Sequence, residues 1–230
     1  MGLLNSSIAK KVAMALSGLF LVLFLAQHCF INFTSVVSAD TFNDISHFMG
    51  TNPLVQFVLQ PILVFAVCFH FIMGIILEIR NRKARQIRYG KFKGSANASW
   101  VSRNMIISGL VVLAFMGLHF YDFFFPELAA KYIDGNMTGL LDPNDPASGF
   151  KYYPEVVHKF ADPVRVGLYA LSFVLLAMHL WHGFSSSFQS VGFNNKYSRG
   201  LKGFTRLFSV VVPALFVFIA VYHYFNQLPH

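Results

Sequence analysis

The chain has 230 residues, of which 55% are hydrophobic and only 12% are charged, and its mean hydropathy is +0.54. These values lie outside the usual range of soluble domains, so composition argues against a soluble enzyme and indicates an integral membrane protein. The net charge of +8 also occurs in nucleic-acid-binding proteins, but no recognition fold flanks the basic residues.

Five apolar stretches are long enough to cross the ~30 Å hydrocarbon core of a membrane, which takes about 20 helical residues. A soluble helical core would need polar faces at helical period, and these stretches carry almost no charge. The first stretch is also too long for the apolar core of a secretory signal. We therefore predict one all-α membrane domain, residues 1–230, with five spans at approximately 11–37, 53–79, 104–125, 163–190 and 204–226.

The distribution of basic residues predicts the orientation of these spans. Fourteen Lys and Arg residues fall on one side, at the N-terminus, in the loop 80–103 and around the start of the fifth span, against four on the other side. The N-terminus is thus expected in the cytoplasm and the C-terminus outside. The loop 80–103 is more basic than orientation requires, which favours contact with anionic lipid or with a cytoplasmic partner protein.

Four histidines lie inside four different predicted spans, and their depths agree in two pairs. At 1.5 Å per helical residue, His28 and His119 both lie about 24–26 Å from the inner edge. His70 lies about 15 Å from Arg80 at the inner edge, and His179 has nearly the same depth. An outer and an inner pair are therefore expected, about 10 Å apart in depth.

Paired histidines at matched depth favour haem iron with two imidazole ligands. A single histidine in a membrane is more often a packing residue or a proton relay, but bis-histidine haem uses all four side chains. The motif Cys-x-x-Cys-His is absent, so covalent c-type attachment is excluded. We predict two haems b in the bundle, the inner on His70 and His179 and the outer on His28 and His119.

The fourth ligand has a competitor, because His182 is one helical turn from His179. Depth favours His179, which follows Pro163 by nearly the same number of residues as His70 follows Pro53.

A weak internal repeat accompanies the pairing. The triplet Ser-Gly-Leu begins eleven residues before His28 and again before His119, and glycine follows His70 and His179 by four residues. Glycine beside a ligand leaves room for a flat macrocycle, and the serine hydroxyls are expected to reach the inner haem or its propionates. Close helix packing explains small residues equally well. The expected surroundings of the ligands are Ser17, Gly18, Gly74, Ser108, Gly109, His182 and Gly183.

Two segments carry a family resemblance. They are His70-Phe-Ile-Met-Gly74 running into Asn81-Arg82-Lys83-Ala84-Arg85, and His179-Leu-Trp-His-Gly183-Phe-Ser-Ser-Ser-Phe188-Gln189-Ser-Val-Gly192. With the histidine order, they resemble the single-chain dihaem cytochrome b subunit of bacterial succinate:quinone oxidoreductases, which include succinate dehydrogenases and fumarate reductases. The resemblance covers all five spans.

The resemblance implies a place in a larger complex in the bacterial cytoplasmic membrane. Subunits of this kind bind a cytoplasmic iron–sulfur subunit, which carries a FAD-containing catalytic subunit. Electrons then pass between the iron–sulfur clusters and a membrane quinone, commonly menaquinone. The chain alone would lack the dicarboxylate site.

At one position that concerns proton movement, the chain departs from the pattern of the family it resembles. Some fumarate-reducing relatives have a glutamate two residues before the fourth-span ligand, implicated in transmembrane proton transfer, and here that position is Ala177. Such a path is therefore not expected. Candidates for proton exchange at a quinone near the outer ends of the spans are Asp40, Asp44, His47, Asp122 and Asp162.

Two other functions fit the same histidines. A dihaem cytochrome b subunit of a formate dehydrogenase or hydrogenase would also pair them, and a haem-free transporter or anchor would use them as proton relays. The long outer loop 126–161 is expected to form turns, with a short helix near 126–133.

Overall fold

The computed structural model describes residues 6–84, 105–193 and 198–227. These residues are largely helical and form no strand, only an isolated bridge between Leu140 and Phe150. Five helices within the described ranges are long and apolar enough to cross a membrane, which confirms the all-α fold with five spans. Residues 85–103 of the basic loop lie outside the described part.

The helices are numbered in chain order over the described residues. α1 is Ser7–Val37, α2 is Ala39–Thr51, α3 is Gln60–Ala84, α4 is Met105–His119, α5 is Phe125–Tyr132, α6 is Tyr152–Lys159, α7 is Pro163–Ser190 and α8 is Ser198–Phe225. Short π-helical segments, Val55–Leu59 and Phe120–Phe124, lead into α3 and α5, and a 3₁₀ turn forms at Pro146–Ser148.

The outer connections contain more helix than the sequence predicts. The segment between the first two spans forms α2, whose start is capped by Ser38, because its side-chain oxygen accepts a hydrogen bond from the Thr41 amide. In the loop 126–161, the short helix predicted near 126–133 is confirmed as α5, which continues the third long helix to Tyr132, and α6 was not predicted.

Both π-helical segments have the same cause in the sequence. Each stands just before a proline, Pro61 or Pro126, which has no amide hydrogen for the carbonyl four residues earlier. The backbone widens instead, so that the Gln60 amide bonds to the Val55 carbonyl and the Phe125 amide bonds to the Phe120 carbonyl. Neither proline breaks its helix, and the second π segment begins directly after His119.

The chain divides into two compact units, and each of the five long helices contributes a segment to both. Unit 1 contains His70 and His179, and unit 2 contains His28 and His119. Unit 1 comprises Met1–Phe24, Leu63–Leu113 and Leu175–Val211, and unit 2 comprises Leu25–Ile62, Ala114–Val174 and Val212–His230.

Aromatic side chains form much of the core of unit 2. Phe173 stacks on Phe216, with ring centroids 5.1 Å apart, and Phe115 meets the edge of Tyr169 at 5.1 Å. These rings are contributed by α4, α7 and α8. Rigid aromatic packing of this kind holds the three helices in a defined register around the histidines of unit 2.

Candidate functional site

The inner histidines face each other in unit 1. The ring centroids of His70 on α3 and His179 on α7 lie 6.5 Å apart, and the ring planes cross at 77°. Both side chains are half-buried. Two imidazoles from different helices thus converge on one location.

The outer histidines form the equivalent pair in unit 2. The centroids of His28 on α1 and His119 on α4 lie 5.7 Å apart, with the planes at 83°. Phe216 lies 5.8 Å from the His28 ring and Phe123 lies 5.4 Å from the His119 ring. This pair is therefore surrounded by aromatic carbon.

The separation of the inner pair is close to that of two imidazoles bound to one metal ion, and the separation of the outer pair is shorter. An imidazole nitrogen binds a metal ion at about 2.0–2.1 Å, and the ring centroid lies roughly 1.1 Å behind that nitrogen, so coaxial ligands have centroids about 6.2–6.4 Å apart. The observed 5.7 and 6.5 Å lie on either side of that value. In addition, Nδ1 of His119 is buried without a hydrogen-bond partner, which leaves a donor atom in the outer pair unused. The donor sets fit bis-histidine haem.

The inner ligands have serine partners. Ser17 Oγ lies 3.0 Å from Nδ1 of His70, and Ser108 Oγ lies 3.3 Å from Nδ1 of His179. In the structure these hydroxyls contact the imidazoles themselves. That they also reach the haem or its propionates stays a prediction.

The repeated glycines adjoin the same groups. A Cβ atom at Gly18 would lie 3.1 Å from Cε1 of His70, and one at Gly109 would lie 3.5 Å from Cε1 of His179. The glycines after the inner ligands contact methionine methyl groups instead: a Cβ at Gly74 would lie 3.5 Å from Cε of Met14, and one at Gly183 would lie 3.0 Å from Cε of Met105. The repeat therefore extends to methionine, three residues before each serine, a signal that the sequence contains and that our prediction missed.

His182 occupies a different environment from His179. It lines a shallow surface pocket together with Ala177, Met178 and Trp181, all on α7. The ring that faces His70 belongs to His179. The structure therefore brings His179, and not His182, to the inner pair.

Asp122 is the one deeply buried member of the outer proton-exchange candidates. It is 1% exposed, and its Oδ2 accepts a hydrogen bond from Tyr169 at 2.9 Å and pairs with Arg165 Nε at 3.0 Å. Oδ1 of Asp122 is buried without a partner. The Tyr169 ring also lies 6.5 Å from that of His119, which places this network beside the outer pair.

The other carboxylate candidates are exposed side chains. Asp40 is exposed in the first turn of α2, and Asp44 is exposed one turn later. Asp162 is exposed and accepts a hydrogen bond from the Val164 amide at the start of α7. Acidic side chains favour helix N-termini for electrostatic reasons alone, so Asp40 and Asp162 have structural explanations.

His47 belongs to a polar cluster between α2, α5 and α6, in unit 2. Its ring stacks on Phe150 at 4.1 Å, while its Nδ1 and the Tyr152 hydroxyl are buried without partners. Burial raises the pKa of the Tyr152 phenol, and the Glu127 and Glu155 carboxylates raise it further. The phenol therefore stays protonated at physiological pH.

Buried lysines connect the elements of this cluster. Lys131 pairs with Glu127 at 2.8 Å and also donates to the Gly50 carbonyl. Lys151 pairs with the same carboxylate at 2.6 Å. Burial raises the pKa of the Glu155 carboxyl, although Lys151 lies 3.6 Å away. Glu127 thus connects α5 to the segment before α6, and Lys131 connects α5 to α2.

Among the described residues, no group of three or more His, Cys, Asp or Glu side chains is arranged to hold a metal ion. The candidate centres are thus the two histidine pairs. No protein-family model matches the chain, and comparison with curated proteins and with solved structures finds no match either.

Proposed function

We propose that this chain is the dihaem cytochrome b subunit of a succinate:quinone oxidoreductase. The observation that carries the proposal is the presence of two facing imidazole pairs, contributed by four different helices that can cross a membrane. A haem-free anchor needs no such pairs, and a proton relay needs no separation that matches two bonds to one metal.

The chain's own residues would hold and insulate the redox groups. Haem b supplies one-electron transfer when bound, and the protein sets its position and potential. His70 and His179 would hold the inner group, and His28 and His119 would hold the outer group. Aromatic rings around the outer pair, such as Phe216 and Phe123, exclude water.

The partner assignment depends on the resemblance and on charge. The motifs after His70 and His179 resemble those of the succinate:quinone oxidoreductase subunits, whose iron–sulfur partner binds on the cytoplasmic side. The basic loop 80–103 would form that docking face, with the N-terminus in the cytoplasm. The quinone would be menaquinone, and succinate or fumarate chemistry would take place on the FAD-containing subunit.

A reduced-minus-oxidised spectrum with haem extraction tests the cofactor content. We expect about two haems b for each purified chain. The variant H158A should keep the wild-type haem content, because His158 is exposed on α6 and belongs to neither pair. Absence of haem from the wild-type chain would overturn the proposal.

Copurification tests the class of complex. A tagged chain is expected to bring down a FAD-containing subunit and an iron–sulfur subunit with succinate:quinone activity. Recovery of a molybdenum or nickel–iron enzyme would instead support a formate dehydrogenase or hydrogenase subunit.

A further inference from the structure

The two serines of the repeat make the same pair of contacts. Ser17 Oγ donates to the carbonyl of Met14 at 2.9 Å and lies 3.0 Å from Nδ1 of His70. Ser108 Oγ donates to the carbonyl of Met105 at 2.9 Å and lies 3.3 Å from Nδ1 of His179. Each hydroxyl thus stands between a helix carbonyl and an imidazole nitrogen.

These contacts limit where the imidazole proton can lie. A hydroxyl has one hydrogen, and when each serine gives it to the carbonyl of its own helix, the serine oxygen accepts from the ring. In that arrangement Nδ1 is the ring nitrogen that donates. A neutral imidazole carries one proton, so Nε2 retains a free lone pair.

We propose that Ser17 and Ser108 are positioning residues that hold His70 and His179 in the Nδ1–H tautomer, with Nε2 presented as the metal-binding nitrogen. The role in haem binding rests on the proposed function, whereas the tautomer rests on the hydrogen bonds alone. The serines touch neither iron nor quinone and act through the imidazoles.

Steric contacts support the same role. A methyl group at Gly18 would press on Cε1 of His70 at 3.1 Å, so the glycine lets the Nδ1 edge of the ring approach α1 closely enough for the serine bond. The equivalent atom at Gly109 would contact His179 at 3.5 Å. Serine and glycine together therefore contact one edge of each inner histidine ring, the serine by a hydrogen bond and the glycine by close packing.

A hydrogen bond from a serine to a carbonyl of its own helix does not by itself indicate that the serine positions a histidine. Ser209 is fully buried on α8 in unit 1 and donates to the carbonyl of Thr205 at 2.7 Å. This bond does not involve an imidazole. S209A therefore removes a buried hydroxyl of the same kind and serves as the matched control.

The first test needs no haem. The ¹⁵N chemical shifts of histidine in the full-length, haem-depleted chain report the tautomer of each ring. In the wild type, we expect both His70 and His179 to be Nδ1–H tautomers. In S17A, the His70 signal should shift toward a mixture of tautomers, and in S209A it should not. A Nε2–H tautomer of His70 in the wild type, or an unchanged signal in S17A, would overturn the proposal.

The second test uses the assembled complex. Loss of a hydrogen-bond partner of a metal-ligating histidine typically weakens metal binding 10–100-fold, and we expect S17A to weaken retention of the inner haem within that range. The bond also makes the imidazole a stronger donor, which favours ferric iron, so the midpoint potential of that haem should rise. S108A should act in the same direction but less, because its bond is longer.

Rescue separates positioning from folding. S17T keeps the hydroxyl and should restore the wild-type potential and the ferric low-spin electron paramagnetic resonance signal, while S209A should leave both unchanged. Equal effects of S17A and S209A would contradict the positioning role. If the wild-type complex held no haem, the proposed function would fail, and the ¹⁵N measurement would still decide the tautomer.

Discussion

Asp122 shows how a single buried charge is stabilised inside a spanning helix. Taking a carboxylate out of water costs several kcal/mol unless it is paired and hydrogen-bonded. Oδ2 has both kinds of partner, Arg165 and Tyr169, while Oδ1 has none. The side chain is thus held firmly at one oxygen, while the other has no hydrogen-bond partner.

D122N should destabilise the protein. The substitution removes the charge that balances Arg165, and a hydrogen bond to a charged group contributes about 1.5–3 kcal/mol. We expect a loss of stability of that order in thermal unfolding of the detergent-solubilised chain. The control is D162N, since Asp162 is exposed and bonds only to a backbone amide. Equal melting temperatures for the two variants would show that the Asp122 network contributes little.

A substitution in helix α1 tests whether Gly18 lets the His70 ring approach that helix closely. G18A places a methyl group 3.1 Å from the His70 ring and should reduce the inner haem content, whereas G117A on α4 introduces a methyl group with nothing within 4 Å. Alanine has a higher helix propensity than glycine by about 1 kcal/mol, so G117A should be neutral or stabilising. Haem quantitation per chain measures the difference, and equal haem content in both variants would contradict it.

Sequence predicted the long helices well and their connections poorly. Spans are defined by apolar length, a property that the membrane imposes locally. The connections depend on tertiary partners: α2 contacts α6 through side chains such as Asn43, whose Oδ1 accepts a hydrogen bond from the Tyr153 amide 110 residues away. No local pattern identifies a partner at that separation.

The pairing of the histidines could be predicted from their depth, but the side-chain contacts around them could not. Helical rise places a residue along the membrane normal, so matched depths identified which histidines pair. Rotation around each helix axis is set by packing, and for that reason the contact of the Ser17 hydroxyl with Nδ1 of His70 was not predicted. The Asp122–Tyr169 contact was missed for the same reason.

At the scale of the whole molecule, the histidine pairs belong to different compact units. H70A removes a ligand from unit 1 and H28A removes one from unit 2. We expect each variant to retain about one haem, with the remaining spectrum different in the two cases. Loss of both haems from either variant, in a chain that still reaches the membrane, would show that the centres do not assemble independently.

Charge movement across the membrane gives the last prediction, and it depends on the proposed orientation. If quinone is reduced near the outer pair with protons taken from outside, succinate oxidation inside moves electrons outward, which a negative interior favours. Each elementary charge gains about 2.3 kcal/mol per 100 mV. Because Ala177 replaces the glutamate of the compensating proton path, this gain should not be cancelled.

Succinate-dependent quinone reduction in sealed, energised vesicles should therefore slow when an uncoupler collapses the membrane potential, while fumarate reduction should accelerate. The same uncoupler should leave the rate of the detergent-solubilised complex unchanged, because no potential exists there. A variant A177E tests the cause, since a restored proton path would make the vesicle rate less dependent on potential. A rate in vesicles that does not respond to potential would place quinone chemistry on the inner side, near His70 and His179, and would contradict the outward path.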